Sequence, residues 1–179
     1  MPDRRTQLLD AALTVVADNG MKGLTHRAVD AAAGLPEGTT SNYYRNRAAL
    51  VEAVLDRLLQ LDAKLLQDVG PAGTPRDVDQ LAGQLAGMVL ALSRQHSGLT
   101  RARLALSLDR PEAVTAGHRL LLGGLEQMLA TLGVPAPAAR ARDVADYADG
   151  VLLHLLTVRR DDDPDPKAIA ATIRRLLGY

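Results

Sequence analysis

THRAVDAAAGLPEGTTSNYY, Thr25 to Tyr44, is the stretch whose reading decides the fold. Thr25 can cap a short helix that carries Val29, Ala32 and Ala33, and Gly34 supplies a left-handed stop. Pro36 favours the first turn of a further helix, in which Gly38, Thr39, Thr40 and Ser41 are small or hydroxyl-bearing. Two short helices about a glycine turn read as a helix-turn-helix. The second helix of such a unit enters a duplex groove about 12 Å wide, so its leading residues cannot all be bulky. Hydroxyls at these positions can reach phosphates or base edges, a Thr methyl can meet a thymine methyl, and Asn42 can pair with adenine if it points inward. Tyr43 would offer its phenol to a phosphate, whereas Tyr44 is expected to bury its ring against the first and fourth helices.

The flanks carry the charge that this reading needs. Arg47 falls in the first turn of the fourth helix, where a cation and exposed N–H groups together favour a phosphate oxygen, and His26 and Arg27 can act from the other side. Up to residue 47, Arg4, Arg5, Lys22, Arg27, Arg45 and Arg47 stand against Asp3, Asp10, Asp18, Asp30 and Glu37. Six positives against five negatives leave this region at only +1, so duplex affinity is expected to be moderate and salt-sensitive. The whole chain balances 21 basic against 21 acidic residues, which excludes a histone-like electrostatic binder. Phe and Trp are absent and there are four Tyr, which removes the stacking platforms of single-strand binders.

Outward from this stretch, helical periodicity dominates and sustained apolar–polar alternation is missing, so the expected fold is all-α with about nine helices. The first helix runs from near Arg4 to Asp18 and stops at Asn19-Gly20. Asn46 caps the fourth, 47–69, whose Leu50, Val54, Leu55, Leu58, Leu61 and Leu65 recur every three or four residues until Gly70-Pro71-Ala72-Gly73 breaks it. Further helices are expected at about 76–96, 99–109, 112–132, 138–160 and 165–178. The eighth is apolar over a wide arc, with Val144, Ala148, Val151, Leu152 and Leu155 flanked by Leu153 and Leu156, as expected of a helix covered from two directions.

Other classes are disfavoured. The chain has no cysteine, hence no disulfide framework or thiolate metal site, and a reducing cytoplasm suits it. The apolar run Leu8–Ala17 is interrupted by Asp10, so no signal peptide is read, and no run of roughly 18 apolar residues predicts a membrane span. His26, His96, His118 and His154 are scattered without metal-ligand spacing, and no nucleophile–base set or phosphate-cradling glycine loop occurs, so neither cofactor, metal nor enzymatic activity is expected.

The longer run GMKGLTHRAVDAAAGLPEGTTSNYYRNRAALVEAVL, Gly20 to Leu55, resembles the DNA-binding domain of the TetR family. Gly20, Thr25, Val29, Ala33-Gly34, Gly38-Thr39, Tyr44 and Leu50 fall in that family's register. Pro36 stands where a capping Ser is common, Glu37 where a basic residue is frequent, and Thr40-Ser41 replaces a Leu-Tyr pair. Glu37 would either point away from phosphates or accept from a cytosine amino group. The resemblance implies a three-helix, homeodomain-like domain at 1–48, a linking helix at 47–69, and a ligand-binding and dimerisation domain at 70–179. It further implies a homodimer paired through helices eight and nine, which sets two reading heads about 34–36 Å apart on a palindromic double-stranded operator. The expected regulator is a repressor released by a small-molecule effector, the alternative being control by a protein partner or by none. Met88, Leu92, Leu104, Leu108, His118, Leu122, Met128 and Leu152 either surround an effector or fill a core.

Overall fold

The computed structural model describes residues 3–69 and 73–179, so the expected break at Gly70-Pro71-Ala72 lies outside the described residues. Among those residues there are nine helices and no strand: α1 (Arg4–Gly23), α2 (His26–Ala33), α3 (Thr39–Tyr43), α4 (Arg47–Val69), α5 (Val78–Arg94), α6 (Ser97–Asp109), α7 (Pro111–Thr131), α8 (Pro137–Leu156) and α9 (Pro166–Leu177). None is long and apolar enough to cross a membrane. They form two compact units, Met1–Lys64 with Gly98–Thr115, and Leu65–Ser97 with Ala116–Tyr179.

In the first unit, local chemistry sets each helix end. Gly20, at φ 65° and ψ −176°, breaks α1 where Asn19-Gly20 was expected to stop it, and a further turn carries the chain to Gly23. Thr25 Oγ1 accepts from Ala28 N–H at 3.1 Å and starts α2, which ends on Gly34 in the left-handed region. Pro36 does not open α3. Gly38 takes φ 92°, a conformation costly for any residue with a Cβ, and the helix begins only at Thr39. Asn46 Oδ1 accepts from Ala49 N–H at 2.9 Å at the start of α4. Leu8, Leu24, Val29, Leu50 and Leu58 are enclosed with Tyr44, and α6 completes this core with Ala102 and Leu106. Each enclosed leucine contributes roughly 1.5–3 kcal/mol by leaving water.

The second unit is built on α5, which packs against α8 and α9. Leu81, Leu85 and Val89 of α5 share a core with Leu129 of α7, Val144 and Leu152 of α8, and Ile169, Ile173 and Leu177 of α9. Asp77 and Asp165 cap α5 and α9, each accepting a backbone N–H at 2.8 Å. The eighth helix ends at Leu156, four residues before the expected 160. Thr157, at φ −129° and ψ −98°, leaves the helix, and Arg159 N–H turns back onto His154 C=O at 2.8 Å. Neither Gly nor Pro marks this stop, so the pattern had nothing to register it.

Candidate nucleic-acid interface

At about 100° per residue, Thr40 and Tyr44 occupy one side of α3 and Asn42 the opposite side. Thr40 is fully buried and Tyr44 is 7% exposed, so this side faces the core, while Ser41, Asn42 and Tyr43 are exposed and Thr39 is half-buried. The orientation is fixed by Asp30, a 2%-exposed carboxylate on α2. Its Oδ2 accepts from Gly38 N–H at 2.8 Å; its Oδ1 accepts from Thr40 N–H at 2.7 Å and from the Thr40 hydroxyl. Burial alone would push this carboxyl up. The bonds from the Thr40 hydroxyl and from the Thr40 and Gly38 N–H groups, with the nearby His26, overcome that and hold it below the ordinary carboxylate range.

Further bonds lock the same region. The His26 Nε2 lies 2.7 Å from Tyr44 C=O, an arrangement in which the ring N–H donates. Gln7 Nε2 donates to Ala33 C=O at 3.0 Å, tying α1 to the end of α2. Burial pushes the Tyr44 phenol up, against an opposing pull from Arg5. Arg47 Nη2 donates to Met21 C=O at 2.6 Å and its Nε to Leu24 C=O at 3.3 Å, so this guanidinium closes the turn after α1.

The residues singled out from sequence therefore separate into two groups. Arg27, Glu37, Ser41, Asn42 and Tyr43 lie on the surface, with Gly38 and Thr39 half-buried beside them. Thr25 and Arg47 are exposed as well, but Thr25 uses its hydroxyl as a cap and Arg47, like the half-buried His26, braces neighbouring backbone. Thr40 corrects the expectation: an enclosed side chain bonded to Asp30 can touch neither phosphate nor base. Sequence reasoning missed Asp30, whose one signal is an acidic residue next to Val29 on the apolar side of α2. Lys22, Arg27 and Arg45 are exposed cations close in sequence to α2 and α3.

The effector candidates are less coherent. Leu104 and Leu108 belong to the first unit, and Met88, Leu92, His118, Leu122, Met128 and Leu152 to the second. Leu152 is buried in the second core, with Met88, Leu92 and Met128 half-buried against it. Leu122 borders an open hollow of about 210 Å³ with Arg119, Glu126 and Arg142, while another, of about 380 Å³ beside Arg76, Asp79 and Arg174, involves none of the candidates. Leu108 is 88% exposed and His118 is also exposed, so as placed neither lines an enclosed space.

A glycine-turned helix pair with its second helix stapled from behind defines the helix-turn-helix class of regulators. Residues 8–54 match the family model of bacterial regulatory proteins of the tetR family, and 76–179, more than half the chain, match that of the tetracyclin repressor-like C-terminal domain. The chain belongs to the TetR family of transcriptional regulators. It is 30% identical over 95 residues to the HTH-type transcriptional repressor KstR2 of Mycolicibacterium smegmatis, a match covering 52% of this chain. The chain spans about half the length, 45%, of that curated relative. Its fold is similar to that of a TetR-family member (SCO1917) from Streptomyces coelicolor A3, with 24% identity, a TM-score of 0.70 and 98% of each chain covered. It is also similar to the multidrug binding protein EbrR in complex with imidazole, with 27% identity, a TM-score of 0.65, and 98% of this chain and 90% of that one covered.

Proposed function

We propose that this regulator is a homodimeric repressor that holds a palindromic operator with two copies of α2–α3 and is released when a small molecule binds within residues 70–179. One observation carries the DNA side of the reading: α3 is pinned by Thr40 and Tyr44 while Thr39, Ser41, Asn42 and Tyr43 face outward, with Arg27 and Arg45 exposed nearby. The name of KstR2 supports repression, and the complexes of EbrR with proflavin, malachite green and ethidium support a ligand-responsive C-terminal region. Residues 1–48 then serve as the DNA-binding domain, and α4, continuous from Arg47 to Val69, as the link through which an effector acts. Coupling of about 1–3 kcal/mol is enough for regulation.

Dimerisation is part of this reading, because one helix-turn-helix reads too few bases. The surface best suited to it lies on α7 and α8. Leu120 and Leu121 of α7 and Leu153 of α8 are exposed, whereas the apolar face of α9, through Ile169, Ile173 and Leu177, is already buried within its own unit. The exposure of Leu108 and His118 favours a second reading, control by a protein partner or by no effector.

Footprinting of the full chain on an operator, with and without a broad panel of small molecules, tests the proposal. Protection of a symmetric site and its loss with at least one compound is expected; a protected site that no compound releases moves the conclusion to the second reading.

A further inference from the structure

The start of α3 has already given away its protons. The N–H groups of Gly38 and Thr40 donate to Asp30, and that of Thr39 to Pro36 C=O at 3.1 Å. The hydroxyl of Thr39 donates to Pro36 C=O at 2.6 Å, that of Ser41 to Gly38 C=O at 2.8 Å, and that of Thr40 to Asp30. A hydroxyl has one proton, so with these bonds in place Thr39 and Ser41 meet a further partner as acceptors. Glu37, exposed just before Gly38, adds a carboxylate that only accepts.

As bonded here, Glu37, Thr39 and Ser41 offer only acceptors, which do not match a phosphate oxygen, itself an acceptor, and the Glu37 charge repels one. In a major groove these acceptors match exocyclic amino groups, the N4 of cytosine and the N6 of adenine. The two differ for a carboxylate. Adenine sets the acceptor N7 beside its amino group, whereas cytosine has no acceptor on that edge, and guanine O6 and thymine O4 are acceptors too. We propose that Glu37 reads the amino group of a cytosine in each half-site, that Thr39 and Ser41 accept from neighbouring base amino groups, and that phosphate contacts fall to exposed cations such as Arg27 and Arg45. This rests on the DNA-binding reading above and names the chemistry that α3 selects.

Selection of bound duplexes from a random pool, with the full chain and with Glu37→Gln, tests it. An exposed position tolerates this change, which urea denaturation of both proteins verifies. The native chain should enrich cytosine at one symmetric position per half-site, with roughly tenfold weaker binding when that base is replaced. Glu37→Gln should move the preference there to adenine, because an amide both accepts from N6 and donates to N7, and leave the other positions unchanged. Half-sites recovered with the same base at every position for both proteins, or no enriched cytosine with the native chain, would overturn the inference while leaving DNA binding intact. Failure of the native chain to enrich any duplex would remove the DNA-binding reading, and this inference with it.

Discussion

Both units are built on an apolar core, and in the first a set of polar bonds also aims the helices. In the unit of α1–α4 and α6, polar groups aim the elements: Asp30 orients α3, Arg47 closes the turn after α1, Gln7 ties α1 to α2, and His26 holds the end of α3. In the unit of α5, α8 and α9, an apolar core joins the helices, Arg140 Nη1 donates to Leu176 C=O at 2.7 Å, and the pairs of Arg174 with Asp79 and Arg94 with Asp163 lie at the surface. Exposed ion pairs add little, of the order of 0–1 kcal/mol. A surface that must recognise another molecule needs a fixed orientation, and buried hydrogen bonds specify direction in a way that apolar contact does not.

The contrast can be broken by substitution. Leu129→Ala, in the second core, should cost most, about 3 kcal/mol, because the enclosed side chain leaves a cavity; urea denaturation measures it. Asp30→Asn should follow at about 2 kcal/mol, since an amide cannot accept all three bonds and retains no charge. It should also weaken operator binding, through loss of the α3 orientation, by more than Leu129→Ala does. A cost under about 0.5 kcal/mol would mean that polar groups do not govern the first unit as argued.

The pH dependence sharpens the same point. A carboxylate held below its ordinary value stabilises the fold above the unfolded value of about 4, and that contribution is lost as pH falls through the depressed native value. Denaturation midpoints of the native chain should therefore drop more steeply below about pH 4 than those of Asp30→Asn. Arg47→Ala should cost about 1–2 kcal/mol through its two carbonyl bonds, again by urea denaturation. The smallest effect on folding should come from Leu121→Ser on α7, within about 0.5 kcal/mol, yet it should shift the molar mass seen by light scattering towards the monomer.

Much of the backbone plan was legible. Thr25, Gly34 and Asn46 each have one strong local preference, and those preferences place the ends of α2 and the start of α4. The heptad-like leucines of α4 likewise separate a buried from an exposed face. The facing of α3 was not legible: it has five residues, four of them small or polar, so no contrast in hydropathy distinguishes Thr40 from Thr39 or Ser41. Only Tyr44, just beyond its end, signals the inner side. The buried role of Asp30 and the backbone partners of the exposed Arg47 escaped because those partners lie eight to twenty-six positions away in sequence.

The carboxylate of Asp30 takes up the hydrogen-bond donors at the start of α3 from within the fold. In the proposed complex the helix would be ordered before any duplex arrives, and little conformational entropy would be lost as it enters the groove. In that proposed complex, release of condensed cations from the duplex, which sets the ionic-strength slope of binding, would come from arginine and lysine side chains around the helix rather than from the helix itself.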